Sequence, residues 1–220
     1  MKYLSIDIET TGLDFEECQT IELGIIADDL YNQQPAEHLP KFHCYIDHGI
    51  FRGDPFALSM HANILRRISL KEKGYEYLRP IDVALNVKTF LENVRRRWSV
   101  EDKSFDAKKD FNVAGKNYGG FDFNFLYRLP GFKQSGGKLL LADYGVGMSA
   151  RCLDSGNHFW EPNDTRLPDT KTCCERAGTP VNLAHTALED AWTVCLLVRR
   201  QHSRMVALQE FMEAHPDVRA

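Results

Sequence analysis

The stretch YLSIDIETTGL near the N-terminus constrains the fold most, because it sets two carboxylates into an apolar strand. Successive side chains of a strand point to opposite faces, so Asp7 and Glu9 project together from one face and Leu4, Ile6 and Ile8 from the other. Turn-forming residues then end the strand, and open α/β sheets gather their ligand sites at such carboxyl ends. The alternating pattern alone also fits a half-buried strand with a solvated outer face.

Composition favours one domain without a membrane span. The chain has 220 residues, of which 43% are hydrophobic, enough for one well-packed core. No apolar run approaches the roughly 20 residues that cross a bilayer, and no signal-peptide core follows Met1, so we expect a soluble, cytoplasmic protein. The formal net charge of −4 argues against a protein that coats nucleic acid by bulk electrostatics, so any such contact should be local.

The six cysteines are scattered and form no CxxC pair, which argues against a disulfide framework and against a zinc ribbon. We expect free thiols that are buried or partly buried. A zinc site drawn from Cys152, His158, Cys173 and Cys174 is an alternative, although this spacing matches no standard zinc finger.

Hydrophobic periodicity predicts an α/β fold in which helices pack on a mixed sheet. Short polar connections between the first three apolar runs are typical of an antiparallel meander. We expect strands at the N-terminal stretch and at 20–27, 42–46, 112–114 and 138–142, helices at 55–68, 82–98, 170–177 and about 186–202, and irregular structure over 145–168.

Two further acids lie on or beside apolar helical stripes. Asp122 is followed at i+3 and i+4 by Phe125 and Leu126, which places it on the core-facing side of its helix. Asp190 lies at the edge of the stripe of the last helix, whereas Glu189 points away from it. Each acid alone also fits a residue that caps a helix or pairs with a neighbouring cation. Four inward-facing acids together predict a shared cation, since Mg²⁺ prefers carboxylate oxygens.

This group of acids indicates hydrolysis of a phosphate ester. Four carboxylates can hold two divalent cations about 3.5–4 Å apart, the arrangement that stabilises the attacking and leaving oxygens of a phosphodiester. The attacking water needs a base, and His185 precedes Asp190 by five residues. Histidine titrates near neutrality, which suits this role, although a solvent-exposed residue at the start of a helix is the alternative.

Three blocks in this order resemble the DnaQ-like 3′-to-5′ exonucleases of the DEDDh type, within the ribonuclease H-like superfamily. The blocks read DIETTGL from Asp7, NYGGFD from Asn117, and HTALED from His185. The likeness spans about residues 1–201, so we expect a single exonuclease domain over 1–220 with a C-terminal extension at 202–220. The spacing His-x4-Asp in the third block is typical of the DEDDh subtype.

The resemblance implies a ribonuclease H-like mixed five-stranded sheet, flanked by helices, in which three antiparallel strands continue into two parallel ones. It implies that two Mg²⁺ or Mn²⁺ ions are held by Asp7, Glu9, Asp122 and Asp190, and that His185 is the general base. It also implies residues that bind the 3′-terminal nucleotide, namely Thr10, Thr11, Gly12, Leu13, His61 and Asn117. Asn117 precedes Asp122 by five residues rather than the four of many relatives, a spacing closer to that of oligoribonuclease-type members.

We therefore predict a two-metal 3′-to-5′ exonuclease that acts on the 3′ ends of single-stranded DNA or RNA and releases nucleoside 5′-monophosphates. The low net charge predicts few phosphate contacts beyond the site and a shallow salt dependence. The alternatives are a non-catalytic ribonuclease H-like module that binds nucleic acid or a polymerase, and a metal-dependent hydrolase of small phosphate esters. The sequence is compatible with two kinds of assembly, a homodimer and a complex with a polymerase-type partner.

Overall fold

The computed structural model describes residues 1–141, 145–181 and 186–215. Its strands are β1 (Lys2–Thr10), β2 (Thr20–Asp29), β3 (Lys41–Ile46), β4 (Tyr77–Leu78), β5 (Phe111–Ala114), β6 (Phe132–Ser135), β7 (Lys138–Leu141) and β8 (Val146–Leu153). Its α-helices are α1 (Pro55–Met60), α2 (Ala62–Leu70), α3 (Pro80–Glu101), α4 (Asp122–Arg128), α5 (Ser155–His158), α6 (Thr170–Ala177) and α7 (Ala187–Ala214). Within these described ranges, no helix has the length and apolar character needed to cross a membrane.

The strands form one mixed sheet in the order β4-β3-β2-β1-β5-β8-β7-β6. Its middle five strands have the expected arrangement, because β3, β2 and β1 pair antiparallel and β5 and β8 then run parallel to β1. The predicted α/β class with a ribonuclease H-like sheet is therefore confirmed. The predicted number of strands, five, was too small, since β4 extends one edge of the sheet and β7 and β6 extend the other.

The strand predicted at 138–142 is present as β7 over the described residues Lys138–Leu141, but it is not a parallel partner of β5. It pairs antiparallel with β6 around Gly136 and Gly137, whose positive φ angles of 55° and 72° suit a tight hairpin turn. The parallel partner of β5 is instead β8, in the segment predicted to be irregular. The sequence of β8, VGMSARCL, has a single β-branched residue and buries only its first three residues, so it lacks a strand pattern.

The predicted helices are present, with shifted ends. The helix expected over 55–68 is two helices, α1 and α2, which meet at His61, where the backbone leaves the helical region with φ −93° and ψ 20°. The predicted ranges 82–98 and 170–177 match α3 and α6, with α3 extended at both ends. The last helix continues past residue 202 as α7, without a break, to Ala214.

The two faces of β1 pack in different hydrophobic clusters, as the alternation predicts. Leu4, Ile6 and Ile8 lie in the cluster that includes residues of α3 and α4, whereas Tyr3 lies in the cluster with α7. On that second face the Ser5 hydroxyl donates a hydrogen bond of 2.7 Å to the carbonyl of Ala191. Asp7 and Glu9 follow Ser5 on the same face, so they project toward the start of α7.

A glycine in β2 lets α7 begin close to the sheet. Gly24 pairs with Asp7 across the β1–β2 ladder, and a Cβ at Gly24 would lie 2.5 Å from the carbonyl carbon of Ala187. A larger residue at this position would push the first turn of α7 away from the strands. The close approach places Asp190, in that first turn, beside the two acids of β1.

Candidate active site

Three carboxylates meet at the carboxyl end of β1. Asp7 and Glu9 project from the strand, and Asp190 projects from the first turn of α7, where its amide donates to the carbonyl of Thr186 at 3.0 Å. One carboxylate oxygen from each of the three acids lies within 4.8 Å of the other two. Glu189, the neighbouring acid, is exposed and accepts a 2.6 Å hydrogen bond from the Thr186 hydroxyl instead. A set of oxygen ligands at this separation is suited to a hard divalent cation.

Asp122 lies next to this group without being one of the three. It begins α4, its side chain is 3% exposed, and its carboxylate interacts with its own backbone amide and with that of Ile8. Burial raises the pKa of Asp122 to about 7, and the charge of Asp154 adds to this shift, although the two backbone amides oppose it. The charge of Asp122 in turn raises the pKa of Asp7. Among the charges that raise the pKa of Asp7, that of Asp122 is the largest, whereas it is the smallest of those acting on Glu9, so Asp122 acts most directly on Asp7.

Burial and mutual repulsion raise the pKa values of two acids of the cluster, Asp7 and Glu9, and so favour their protonated forms. Burial raises the pKa of Glu9 to about 9, with further contributions from the charges of Glu22, Asp190 and Asp122. The pKa of Asp7 lies well above its usual range for the same reasons, burial first and then the charge of Asp122. A divalent cation would replace these protons, because it lowers the energy of the ionised carboxylates.

Sequence reasoning missed a fifth acid, Glu22. It pairs directly with Glu9 across the β1–β2 ladder, and its side chain is fully buried. One of its oxygens lies 2.6 Å from Nε2 of His43, and the other, Oε2, has no hydrogen-bond partner among the residues that the structure describes. A single acid inside the apolar run TIELGIIA was the available signal, since an unpaired charge there is costly.

The loop after β1 is held rigidly by its two threonines. The buried Thr11 hydroxyl donates to the carbonyl of Arg52 at 2.6 Å, and the Thr10 hydroxyl donates to the carbonyl of Gly12 at 2.7 Å. The next residue, Leu13, is 85% exposed. The predicted substrate-binding segment from Thr10 to Leu13 is thus a fixed turn that presents one apolar side chain to solvent.

A cavity of about 800 Å³ opens between this loop and α1. Glu9 of the acidic cluster forms part of its wall, and exposed apolar side chains of Leu13, Phe56 and Met60 form part of its lining. Its lining also includes Thr10, Gly12, Asp14, Cys18, Asp54, His61 and Phe121. The cavity therefore joins an apolar surface to Glu9, one acid of the cluster at the end of β1.

Two of the other predicted site residues, His61 and Asn117, line different cavities. His61 is 4% exposed and lines the first cavity, with its Nε2 atom 3.4 Å from a carboxylate oxygen of Glu9. Asn117 adopts a left-handed conformation with φ 57° and lines a second cavity. His185, the predicted general base, lies outside the described residues.

The zinc alternative was wrong. Cys152, His158, Cys173 and Cys174 do not come together as a ligand set, since the candidate metal-binding group found among the described residues consists of Asp7, Glu9 and Asp190. All six cysteines are free thiols. Sγ of the buried Cys173 contacts the carbonyl of Ser155 at 3.5 Å, so it serves the packing of α6.

Comparison with protein-family models and with curated proteins finds no match. Comparison with solved structures finds Escherichia coli exonuclease I in complex with a dT13 oligonucleotide, with a TM-score of 0.60 and 13% identity over 97% of this chain and 44% of that chain. It also finds exonuclease I from Methylocaldum szegediense, with a TM-score of 0.55 and 16% identity over 97% of this chain and 43% of that chain. A third match is cell-death related nuclease 4, with a TM-score of 0.54 and 13% identity over 92% of this chain and 64% of that chain.

This chain spans less than half the length of the two exonuclease I chains. At these identities the comparison concerns the fold, and it confirms at that level the resemblance inferred from the three sequence blocks. The chain has the ribonuclease H-like fold of exonuclease I.

Proposed function

We propose that this protein is a metal-dependent 3′-to-5′ exonuclease that hydrolyses the terminal phosphodiester of single-stranded DNA or RNA and releases nucleoside 5′-monophosphates. The observation that carries this proposal is the group of Asp7, Glu9 and Asp190, whose carboxylate oxygens lie within 4.8 Å of one another beside an apolar-lined cavity of about 800 Å³. The shared fold supports it, because one structural relative is exonuclease I bound to single-stranded DNA.

The four acids fit two divalent cations, Mg²⁺ or Mn²⁺. Asp7, Glu9 and Asp190 would hold one, and Asp7 and Asp122 would hold the second, because the charge of Asp122 is the largest charge effect on Asp7 and the smallest on Glu9. When bound, such cations polarise the scissile phosphate, activate the attacking water and stabilise the leaving oxygen. The four acids would position these ions, and Asp7 and Glu9 would release the protons that burial favours on them without a cation.

The cavity would bind the 3′-terminal nucleoside. The fixed loop from Thr10 to Leu13 forms one wall, and Leu13, Phe56 and Met60 offer apolar surface on which a base can pack. Such stacking tolerates any base, so we expect little sequence preference. His61 would contact the terminal nucleotide from the wall next to Glu9. Enclosure of a free 3′-hydroxyl in this cavity would give the enzyme its polarity.

His185 is the proposed general base that accepts the proton of the attacking water. Replacing it by alanine should lower turnover by about 100-fold to 10,000-fold, with cation binding and folding retained. His202→Ala is a matched control, because residue 202 lies on α7 about 18 Å along the helix from Asp190. An unchanged rate in His185→Ala, or an equal loss in both variants, would contradict this role.

Three substrates separate the proposal from its alternatives. With Mg²⁺ or Mn²⁺, a linear single-stranded oligomer should be degraded to nucleoside 5′-monophosphates, while a circular single strand stays intact because it has no end. Cleavage of the circle would show an endonuclease. Binding of the linear oligomer without cleavage would favour the non-catalytic module, and faster hydrolysis of bis(p-nitrophenyl) phosphate than of the oligomer would favour the small-ester hydrolase.

A further inference from the structure

A second cavity, of about 760 Å³, is separated from the first by the segment that precedes Asp122 at the start of α4. The residues that line it are mostly polar, namely Lys116, Asn117, the segment 163–170, Thr172 and Arg176. The two cavities share no lining residue among the described residues. Phe121 lines the first cavity and Asn117 the second, so the short segment between them separates the two.

This second cavity opens at the same edge of the sheet as the acids. β5 runs parallel to β1, and Ala114 pairs with Ser5. Lys116 lies two residues after Ala114, just as Asp7 lies two residues after Ser5. Parallel strands end at a common edge, so Lys116 and the acidic cluster lie at one end of the sheet.

Asp154 fixes the loop after β5 in this position. Its Oδ2 atom accepts the amide of Asn117 at 2.8 Å, and its Oδ1 atom accepts the amide of Gly156 at 2.7 Å. Both carboxylate oxygens of Asp154 are thus engaged with backbone amides.

Lys116 places a positive charge in this wall. Its side chain is partly buried, and no carboxylate oxygen of the described residues lies within 4.0 Å of its Nζ atom. Gly156 leaves room for the ammonium group, because a Cβ there would lie 2.6 Å from Nζ. Arg176, another cation of the cavity, is instead paired with Asp164, whose Oδ1 accepts from Nη2 at 2.7 Å. Oδ1 of Asp154 lies nearby, 3.0 Å from the same Cβ position, but it forms no ion pair with Nζ and accepts the amide of Gly156. A partly buried ammonium group without an ion pair is suited to a phosphate.

We propose that Lys116 binds a backbone phosphate of the substrate strand on the 5′ side of the scissile bond. This inference rests on the proposed exonuclease function, in which the first cavity holds the 3′-terminal nucleoside and the acids hold the scissile phosphate. The rest of the strand then has to leave on the 5′ side, past the loop that carries Asp122. The second cavity lies there, and Lys116 is one of its three cationic lining residues, with Arg166 and Arg176.

Substrate length tests this assignment. The p-nitrophenyl ester of thymidine 5′-monophosphate has one nucleotide and no further phosphate, whereas oligothymidylates from a dinucleotide to an octamer add phosphates on the 5′ side one at a time. Lys116→Ala should hydrolyse the ester as the wild type does. Its kcat/KM on the octamer should fall about tenfold, mainly through KM, as expected for loss of one hydrogen bond between charged groups.

The loss should begin at one defined oligomer length, which identifies the phosphate that Lys116 contacts. The dependence of log KM on log salt concentration should become shallower by about 0.7, the value for one phosphate contact on a single strand. Lys116→Arg should keep most of the wild-type KM, because it keeps the charge. Lys73→Ala removes an equal charge from an exposed site and should match the wild type at every length.

The outcomes distinguish this inference from the proposed function. If the wild type cleaves the ester and the oligomers, and Lys116→Ala matches it at every length, the assignment of Lys116 is wrong and the exonuclease proposal stands. An equal loss on the ester and the octamer, or the same loss in Lys73→Ala, also overturns the assignment. If the wild type cleaves neither substrate with Mg²⁺ or Mn²⁺, the exonuclease proposal itself fails.

Discussion

Replacing Asp122 by asparagine should stabilise the cation-free protein, and the gain should increase with pH. The folded protein raises the pKa of this buried carboxyl from 3.8 to about 7. Between these two values the folded state binds more protons at Asp122 than the unfolded state does, so the free energy of unfolding falls as the pH rises through this range. Asparagine keeps the shape and an oxygen for the amide of Ile8, but it cannot ionise.

The size of the effect follows from the shift in pKa. One pKa unit corresponds to about 1.4 kcal/mol, so the stability advantage of Asp122→Asn should grow by up to about 3 kcal/mol between about pH 5 and about pH 8. Above about pH 7 the advantage should level off, because the carboxyl of the folded wild-type protein is then ionised.

Urea unfolding of both proteins in EDTA, at the two pH values, measures this difference. Glu189→Gln serves as the control, because Glu189 is an exposed acid in the first turn of α7, and its stability should stay within about 0.5 kcal/mol of the wild type at both pH values. With Mg²⁺ the order should reverse, since the wild type binds the cation more tightly than the variant. A stability difference in EDTA that does not change with pH would refute the account of a buried carboxylate held among like charges.

Three further predictions concern the loop, the cavity and the acids. Gly12→Ala should destabilise the protein by about 1–3 kcal/mol in urea unfolding, because a Cβ at Gly12 would lie 2.5 Å from Sγ of Cys18. Adding Cys18→Ala should restore part of this stability. Equal stability of the single and double variants would contradict the proposed clash. Phe56→Ala should raise KM for oligomers about tenfold and leave kcat and stability unchanged. The reason is that Phe56 is 78% exposed and would act only by packing on a base of the substrate. An unchanged KM would exclude that contact. Glu9→Gln should weaken Mn²⁺ binding and release about one proton fewer on binding at neutral pH, because Glu9 with a pKa of about 9 is protonated before the cation binds. Calorimetry in two buffers of different ionisation enthalpy counts the released protons. An equal number in both proteins would contradict the raised pKa of Glu9.

The part of the site that local periodicity determines was predictable. The two-residue period of β1 places Asp7 and Glu9 on one face, and the structure shows that this face meets α7. The same holds for Asp122, whose helical spacing to Phe125 and Leu126 predicts the burial that is observed. These placements depend on neighbours within one strand or one helical turn.

The features that depend on pairing between distant segments were not predictable. Both faces of β2 are buried, so alternation gave no indication that Glu22 faces Glu9. The contact between His61 and Glu9 requires the break between α1 and α2 and the position of both helices over the loop after β1. β8 was not predicted, because its own residues have weak β propensity and it is held as a strand by pairing with β5.

The most direct test of the central claim is a time course with 5′-labelled single-stranded DNA and RNA oligomers in Mg²⁺, Mn²⁺ or EDTA, run beside Asp7→Ala. The account predicts a ladder of products that shorten one nucleotide at a time from the 3′ end with either metal. It predicts no products in EDTA or with the variant, since Asp7 is the acid proposed to hold both cations. Cleavage that persists in EDTA or in Asp7→Ala, or no cleavage of any oligomer with either metal, would contradict it.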